Sequence, residues 1–136
     1  MSLGNLCERE ILEHLFLGSG IPSRNELWIG LCSGEPAEDG SDKKELSGSG
    51  YGRKKYVGSN KFGGSAGGQI SNNAMITLPY ATSDWGSVTH FFISTTGIAG
   101  ETGNTLLAVN ELSIEKTIEK NDLPRFKVGE LTIQID

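Results

Sequence analysis

Few residues have the chemistry of a catalytic site, and they are scattered. Asp84, His90 and Ser94 come nearest to the acid, base and nucleophile that a hydrolase needs. His90, however, lies inside a strand pattern, where a histidine satisfied by a neighbouring backbone group is the expected state. His14 lies in a helix pattern. The sequence therefore predicts no catalytic residue and no enzyme.

The acidic segment 33–50 holds the densest group of carboxylates that could bind a cation: Glu35, Glu38, Asp39, Asp42 and Glu45. Their spacing differs from that of a calcium-binding EF-hand loop, and Lys43 and Lys44 would oppose a cation. Glycoside hydrolysis needs a pair of carboxyl groups, one of which lies in an apolar environment that raises its pKa. No pair in this sequence has apolar neighbours of that kind. We therefore predict no metal site.

Glycine-rich segments can cradle phosphates, and glycine makes up 19 of the 136 residues. Gly48-Ser49-Gly50-Tyr51-Gly52-Arg53 lacks the third spacing of the dinucleotide fingerprint, and a strand pattern follows it instead of a helix. No Gly-Lys-Ser/Thr sequence is present for a P-loop. These glycines predict turns, and no cofactor is predicted.

Charge and cysteine content narrow the classes of partner. The net charge is −5, and Arg53-Lys54-Lys55 is the only dense basic run, so a solvated strand edge is expected and nucleic acid is an unfavourable partner. Cys7 and Cys32 are expected to be buried thiols, with one bridge left open. No apolar run approaches the roughly 20 residues that cross a bilayer, and no secretion signal is visible.

The elements that would position these residues are mostly strands. Leu3, Cys7, Ile11 and Leu15 recur every four residues, and Leu12 and Phe16 widen the stripe, so residues 1–18 are predicted to form a helix. Ser2 should cap its start and Gly18 its end, and its apolar face should cover a sheet or dock on a neighbour.

The rest of the chain has six to eight short apolar runs separated by turn signals. Leu27–Cys32 is apolar on both faces and is expected to be a central strand. Segments 33–50 and 58–69 are expected to be exposed glycine-rich loops, the second of them in part an irregular strand. We predict one domain over residues 1–136, all-β, a compact antiparallel β-sandwich or barrel-like domain with one N-terminal α-helix.

Six blocks of the sequence are familiar in combination. They are Glu13–Phe16, Leu27–Leu31, Ser33–Pro36, Glu45–Arg53, Ala81–Phe91 and Gly129–Ile133. In this order they resemble a family of small tailed-bacteriophage virion proteins, commonly labelled phage tail-fibre proteins. Similar small β-domains serve as capsid cement or decoration proteins. The most specific block is Asp84-Trp85-Gly86 followed by Val88-Thr89-His90-Phe91, in which Asp84 is expected to bond the turn and Trp85 to pack over one end of the domain.

The resemblance implies a non-enzymatic structural protein on the exterior of the phage particle, made in the cytoplasm of the bacterial host. Its partners would be other virion proteins, either the major capsid protein or tail proteins, and copies of itself in a homo-oligomer such as a trimer. No nucleic acid, membrane or cofactor is expected. Because the chain lacks the repeats of a long fibre shaft, capsid cement or decoration is favoured, with a tail-fibre component as the alternative and a carbohydrate-binding module as a third choice.

Overall fold

The computed structural model describes residues 3–21, 26–57 and 62–134, which contain one α-helix, α1 (Asn5–Leu17), and nine β-strands. The strands are β1 Glu26–Cys32, β2 Lys54–Val57, β3 Phe62–Ala66, β4 Gln69–Asn72, β5 Ile76–Thr77, β6 Gly86–Ser94, β7 Leu106–Ile118, β8 Arg125–Phe126 and β9 Thr132–Gln134. The prediction of an all-β, antiparallel fold with one N-terminal helix is confirmed. That residues 1–136 form a single domain stays a prediction.

The largest sheet has the strand order β2-β1-β6-β7, and every pair in it is antiparallel. β1 therefore lies in its interior, as its two apolar faces predict. Two smaller sheets have the orders β3-β4-β9 and β5-β8. The alternating residues Leu131 to Ile135 predict a last strand, which is present as β9; Ile135 itself lies outside the described residues.

Apolar side chains pack on both faces of the large sheet. Ile29, Leu31 and Phe91 belong to the main core cluster on one face. Cys32 and Phe92, one residue further along each strand, belong to a smaller cluster with Leu106 and Val109. Since successive side chains of a strand point to opposite faces, the smaller cluster lies on the other face, where the Arg53 guanidinium packs over the Phe92 ring.

β7 departs most from the expected strand lengths, since it runs thirteen residues from Leu106 to Ile118. Its pairing with β6 shifts between Val88↔Lys116 and His90↔Glu111, so extra residues of β7 bulge outward there. The alternation of buried and exposed residues is lost through this bulge.

Candidate interaction surface

The start of helix α1 is fixed to strand β7. The Gly4 N–H donates to the Leu107 carbonyl at 2.8 Å, and the Asn5 N–H donates to the Glu38 carbonyl at 3.0 Å. A Cβ atom at Gly4 would lie 2.2 Å from the Leu106 carbonyl oxygen, so this close approach requires glycine. Gly4 is the N-cap and makes no side-chain cap; the predicted cap, Ser2, lies outside the described residues.

The end of the helix agrees with the prediction. Gly18 adopts the left-handed conformation with φ 71°, and the Ser19 N–H donates to the Glu13 carbonyl at 3.2 Å. His14 Nδ1 donates to the Ser19 carbonyl at 2.8 Å. A glycine at this position and a polar partner for the last carbonyls are the ordinary way in which a helix stops.

The apolar residues of α1 divide into a packed set and an exposed set. Leu3, at the entry to the helix, packs against the main core together with Leu6 and Cys7. Leu12, Leu15 and Phe16 are 56%, 66% and 77% exposed. Nine residues, or two and a half helical turns, separate Leu6 from Leu15 and Cys7 from Phe16, so the two sets lie on different sides of the helix. Of the two predicted roles of the apolar face, covering a sheet of this chain falls to Leu3, Leu6 and Cys7, whereas Leu12, Leu15 and Phe16 remain exposed; that they dock on a neighbour stays a prediction.

Leu17, the last residue of α1, and Ile21, which follows the helix, are also exposed. We call Leu12, Leu15, Phe16, Leu17 and Ile21 the helix tip. Large apolar side chains scattered singly over a protein surface are ordinary, but five exposed ones within ten residues are a local concentration of the kind found at interaction sites. The helix tip is the candidate interaction surface of this chain.

A buried ionic network holds the sheet and loops that carry this surface. Arg53 makes a two-pronged contact with Glu45, from Nε to Oε2 at 2.8 Å and from Nη2 to Oε1 at 2.9 Å. Its Nη1 donates to the Ser94 hydroxyl at 3.1 Å and to the Thr96 carbonyl at 2.7 Å. The guanidinium carbon lies 4.9 Å from the centre of the Phe92 ring. Arg53 was expected on a solvated edge; that expectation is wrong, although Lys54 and Lys55 are exposed.

Glu45 is the centre of the network. Besides Arg53, it accepts hydrogen bonds from the Tyr51 hydroxyl at 2.5 Å and from the Gly100 N–H at 2.7 Å. Burial, together with the Glu45 carboxylate, raises the pKa of Tyr51 above its ordinary range. Burial lowers the pKa of Arg53, but the hydrogen bonds and charge of Glu45 outweigh it and raise that pKa overall. Both residues therefore stay protonated next to the carboxylate.

A second ion pair joins segment 33–50 to the loop before β7. Lys43 Nζ lies 2.9 Å from Glu101 Oε1 and donates to the carbonyls of Gly40, Glu101 and Gly103. Burial raises the pKa of Glu101, but hydrogen bonds from Thr105 and Lys43 outweigh it and lower that pKa overall. The expectation that segment 33–50 is exposed is therefore wrong at Lys43 and Leu46, which are buried.

The remaining acids of that segment do not converge. Glu35, Glu38, Asp39 and Asp42 are exposed; Asp39 accepts from Ser41, and Asp42 pairs with Lys44. These contacts lower the pKa of both aspartates, the Ser41 and Lys44 side-chain bonds being the largest causes. Within the described part of the chain, no three His, Cys, Asp or Glu residues are placed to hold a metal ion.

The Asp84-Trp85-Gly86 block closes one end of the core. Trp85 is buried, donates from Nε1 to the Ser49 carbonyl at 2.8 Å, and packs edge-on against Tyr51 with ring centres 5.3 Å apart. Asp84 was predicted to bond the Trp85-Gly86 turn. Instead its carboxylate accepts a hydrogen bond from the Lys120 N–H at 2.8 Å. The block therefore serves the fold: Trp85 holds segment 33–50, and Asp84 holds the turn after β7.

The structure does not assemble the hydrolase residues considered from the sequence. His90 Nδ1 lies 2.8 Å from the neighbouring Thr89 hydroxyl, and Ser94 belongs to the Arg53 network. Asp84 bonds the Lys120 backbone, as described above. That the chain has no catalytic, cofactor-binding or metal-binding residue stays a prediction.

One motif was missed in the sequence: Gly63-Gly64-Ser65-Ala66-Gly67 has the Gly-x-Ser-x-Gly spacing of a hydrolase nucleophile turn. That turn must lead from a strand into a helix. Here Gly63 to Ala66 belong to β3, and Gly67-Gly68 turn the chain directly into the antiparallel strand β4. The segment is a hairpin with a register shift between Gly63 and Ala66, so the irregular strand expected over part of residues 58–69 is present, and the rest of that expected loop is limited to its turn; residues 58–61 lie outside the described residues.

The two cysteines do not bridge each other. Cys32 is buried as predicted, and burial raises the pKa of its thiol well above the ordinary range. Cys7 is half-buried against the core. The position of Cys32 therefore does not point to a reactive thiolate. Among the described residues, no helix combines the length and apolar character needed to cross a membrane.

Comparison with known proteins identifies the family. No curated protein matches the chain. A family model described as "Podophage GP4 fiber I protein gp80" matches residues 2–134, which leaves only three residues of the chain outside the match. The predicted resemblance to phage tail-fibre-type proteins is confirmed. The chain belongs to this family of phage fibre proteins, and its place is among the structural proteins of the virion.

Proposed function

We propose that this protein is a non-enzymatic component of a phage tail fibre that takes part in host attachment. The observation that carries the proposal is the family match over residues 2–134, because the family description names a fibre protein. A match over nearly the whole chain means that the described fold, and not a small appended module, is what the family shares.

The structure supports a mechanical role. Arg53 and Glu45 lie in the interior, with side chains 0% and 4% exposed, and link segment 33–50 to β2. Lys43 and Glu101 link the same segment to the loop before β7. Charged hydrogen bonds whose donors and acceptors are all paired hold the loops in one arrangement. A rigid domain of this kind suits a structural protein that is bound by neighbouring proteins.

Capsid cement, which the sequence favoured, is the competing location. Both locations need a rigid domain with a surface for other virion proteins, so the fold alone does not separate them. The family description supports the fibre better than the capsid. No feature of the described residues favours the carbohydrate-binding module.

The experiment is to locate the protein on intact particles and to measure the effect of its loss. We expect antibody labelling and cryo-electron microscopy to place a few copies at the tail, and particles lacking the protein to adsorb poorly to host cells. Their heads should keep the thermal stability of wild-type heads. Labelling over the whole head, together with heads that lose DNA on mild heating, would overturn the fibre proposal in favour of cement.

A further inference from the structure

The ammonium group of Lys43 lies in a cage of oxygen atoms. Its Nζ is 2.8 Å from the carbonyl oxygen of Gly40 and 3.0 Å from that of Gly103. Glu101 supplies two more oxygens, its carbonyl at 3.1 Å and its carboxylate Oε1 at 2.9 Å. The Lys43 side chain is 2% exposed, so protein oxygens take the place of water around the charge. Because carbonyl and carboxylate oxygens are the ligands with which proteins hold hard metal cations, Lys43 occupies the position of a bound cation.

The dimensions of the cage suit a large monovalent cation. Calcium takes about six to eight oxygen ligands at roughly 2.3–2.6 Å, and magnesium requires a tighter octahedron. The four oxygens of the cage lie 2.8 Å to 3.1 Å from the Lys43 Nζ atom. Potassium is similar in size to ammonium, and backbone carbonyls replace its hydration shell in channel filters. The cage therefore fits an ammonium or potassium ion better than a divalent ion.

The cage joins two loops that approach each other closely. Gly40 has φ 78°, and a Cβ atom there would lie 2.7 Å from the Gly103 carbonyl oxygen. The carbonyl oxygens of the two loops and the Glu101 carboxylate all carry negative charge or partial charge, so they repel each other unless a cation lies between them. Lys43 supplies that cation from within the chain.

The first of these loops also holds the start of α1. The Ala37 N–H donates to the Asp42 carbonyl at 2.8 Å, and the Gly40 N–H donates to the Ala37 carbonyl at 2.9 Å, so this segment turns back on itself. Within the turn, the Glu38 carbonyl accepts from the Asn5 N–H at 3.0 Å. A change that opens the cage should therefore loosen the turn and, with it, the first turn of α1.

We propose that Lys43 is a tethered cation that fills a site of the ammonium and potassium type and thereby fixes the start of α1. The inference goes beyond the proposed function, because it concerns how the chain holds two loops and a helix together. It does not depend on where the protein lies on the particle, and its experiment uses the purified chain alone.

The test removes the tether and supplies the cation from solution. Lys43→Ala makes room for a free ion in the cage, whereas Lys43→Met fills the same space with an uncharged side chain of similar length. The matched control is Lys44→Ala, because Lys44 is the next residue and its side chain is 49% exposed. Urea unfolding is measured in ammonium, potassium and choline chloride at equal ionic strength, and amide exchange at Asn5 is followed by NMR.

We expect both Lys43 variants to lose at least about 100-fold in the folding equilibrium constant in choline, and Lys44→Ala to lose much less. Ammonium or potassium at about 0.5 M should restore at least about tenfold to Lys43→Ala and slow its exchange at Asn5. Neither ion should stabilise Lys43→Met or wild type in this way, since their cages are already filled.

Three results would overturn the proposal. The first is a Lys43→Ala protein as stable as Lys44→Ala, and the second is an equal response of Lys43→Ala and Lys43→Met to ammonium and potassium. The third is restored stability without slower exchange at Asn5, which would break the link to α1. If Lys43→Ala is unfolded in choline, folding in ammonium or potassium supports the proposal, and failure to fold in all three salts overturns it.

Discussion

Replacing Glu45 with glutamine should be the most damaging conservative substitution in the described part of this chain. The Glu45 carboxylate accepts from Arg53 Nε and Nη2, the Tyr51 hydroxyl and the Gly100 N–H. Glutamine keeps the shape but places an N–H₂ group where one oxygen accepts, so that donors face donors. The Arg53 side chain is 0% exposed, and its other carboxylate contact, Glu101, is at 3.5 Å.

The expected loss follows from the burial of the charge that remains. Removing one partner of a buried ion pair typically costs about 3–5 kcal/mol, because the other charge is left without compensation. A domain of this size unfolds with a free energy of about 5–15 kcal/mol, so the loss is a large part of the total. The melting temperature should fall by roughly 10–20 °C.

Urea unfolding followed by tryptophan fluorescence measures the loss, with Trp28 and Trp85 as reporters. The matched control is Glu26→Gln, which breaks the exposed pair of Glu26 and Lys55 at 2.8 Å and should cost less than about 1 kcal/mol. In the double variant Glu45→Gln/Arg53→Met, part of the loss should be recovered, since the uncompensated charge is gone. A Glu45→Gln protein as stable as the Glu26→Gln control would refute this account of the network.

Two more outcomes follow from close packing and from acid titration. A Cβ atom at Gly97 would lie 2.7 Å from the Trp28 ring, so Gly97→Ala should lower the unfolding free energy by about 1–3 kcal/mol. The control Gly20→Ala, which has open space around it, should leave that free energy unchanged. Equal urea midpoints for the two variants would contradict the close contact of Gly97 with Trp28. Glu101 has a pKa below its ordinary 4.5, so its contribution to stability is complete above about pH 4.5 and is lost as the pH falls through the folded-state pKa. Unfolding midpoints measured below pH 4.5 should therefore depend less on pH in Glu101→Gln than in wild type, and identical slopes would contradict this assignment.

Local signals in the sequence predicted the local structure well. The end of α1 at Gly18 and the interior position of β1 are signalled by residues next to each other in the sequence, so spacing and residue type are sufficient to predict them. The burial of Arg53 depends on Glu45 and on Ser94 and Thr96, which lie more than 40 residues further along the chain. A basic run beside a strand contains no trace of such partners, which is why a solvated edge was the natural but wrong expectation.

The helix tip shows a second kind of limit. Apolar spacing in α1 identifies residues that avoid water, but it does not specify whether the covering surface comes from the same chain. Leu3 and Cys7 find theirs in the core, while Leu15 and Phe16 do not. Apolar residues from one segment of the sequence therefore differ in the structure, and only the fold separates those that anchor the helix from those left exposed.

The exposed apolar residues of α1 suggest a role for the buried ionic network of Arg53, Glu45, Lys43 and Glu101. An exposed apolar tip tends to draw its own chain into alternative packings, since burial of apolar surface has no preferred direction. The buried charges of Arg53, Glu45, Lys43 and Glu101 oppose this, because any rearrangement that separates them leaves a charge without its partner. The network therefore need not add much to the net stability of the fold. We infer that its effect is to make competing arrangements of segment 33–50 costly.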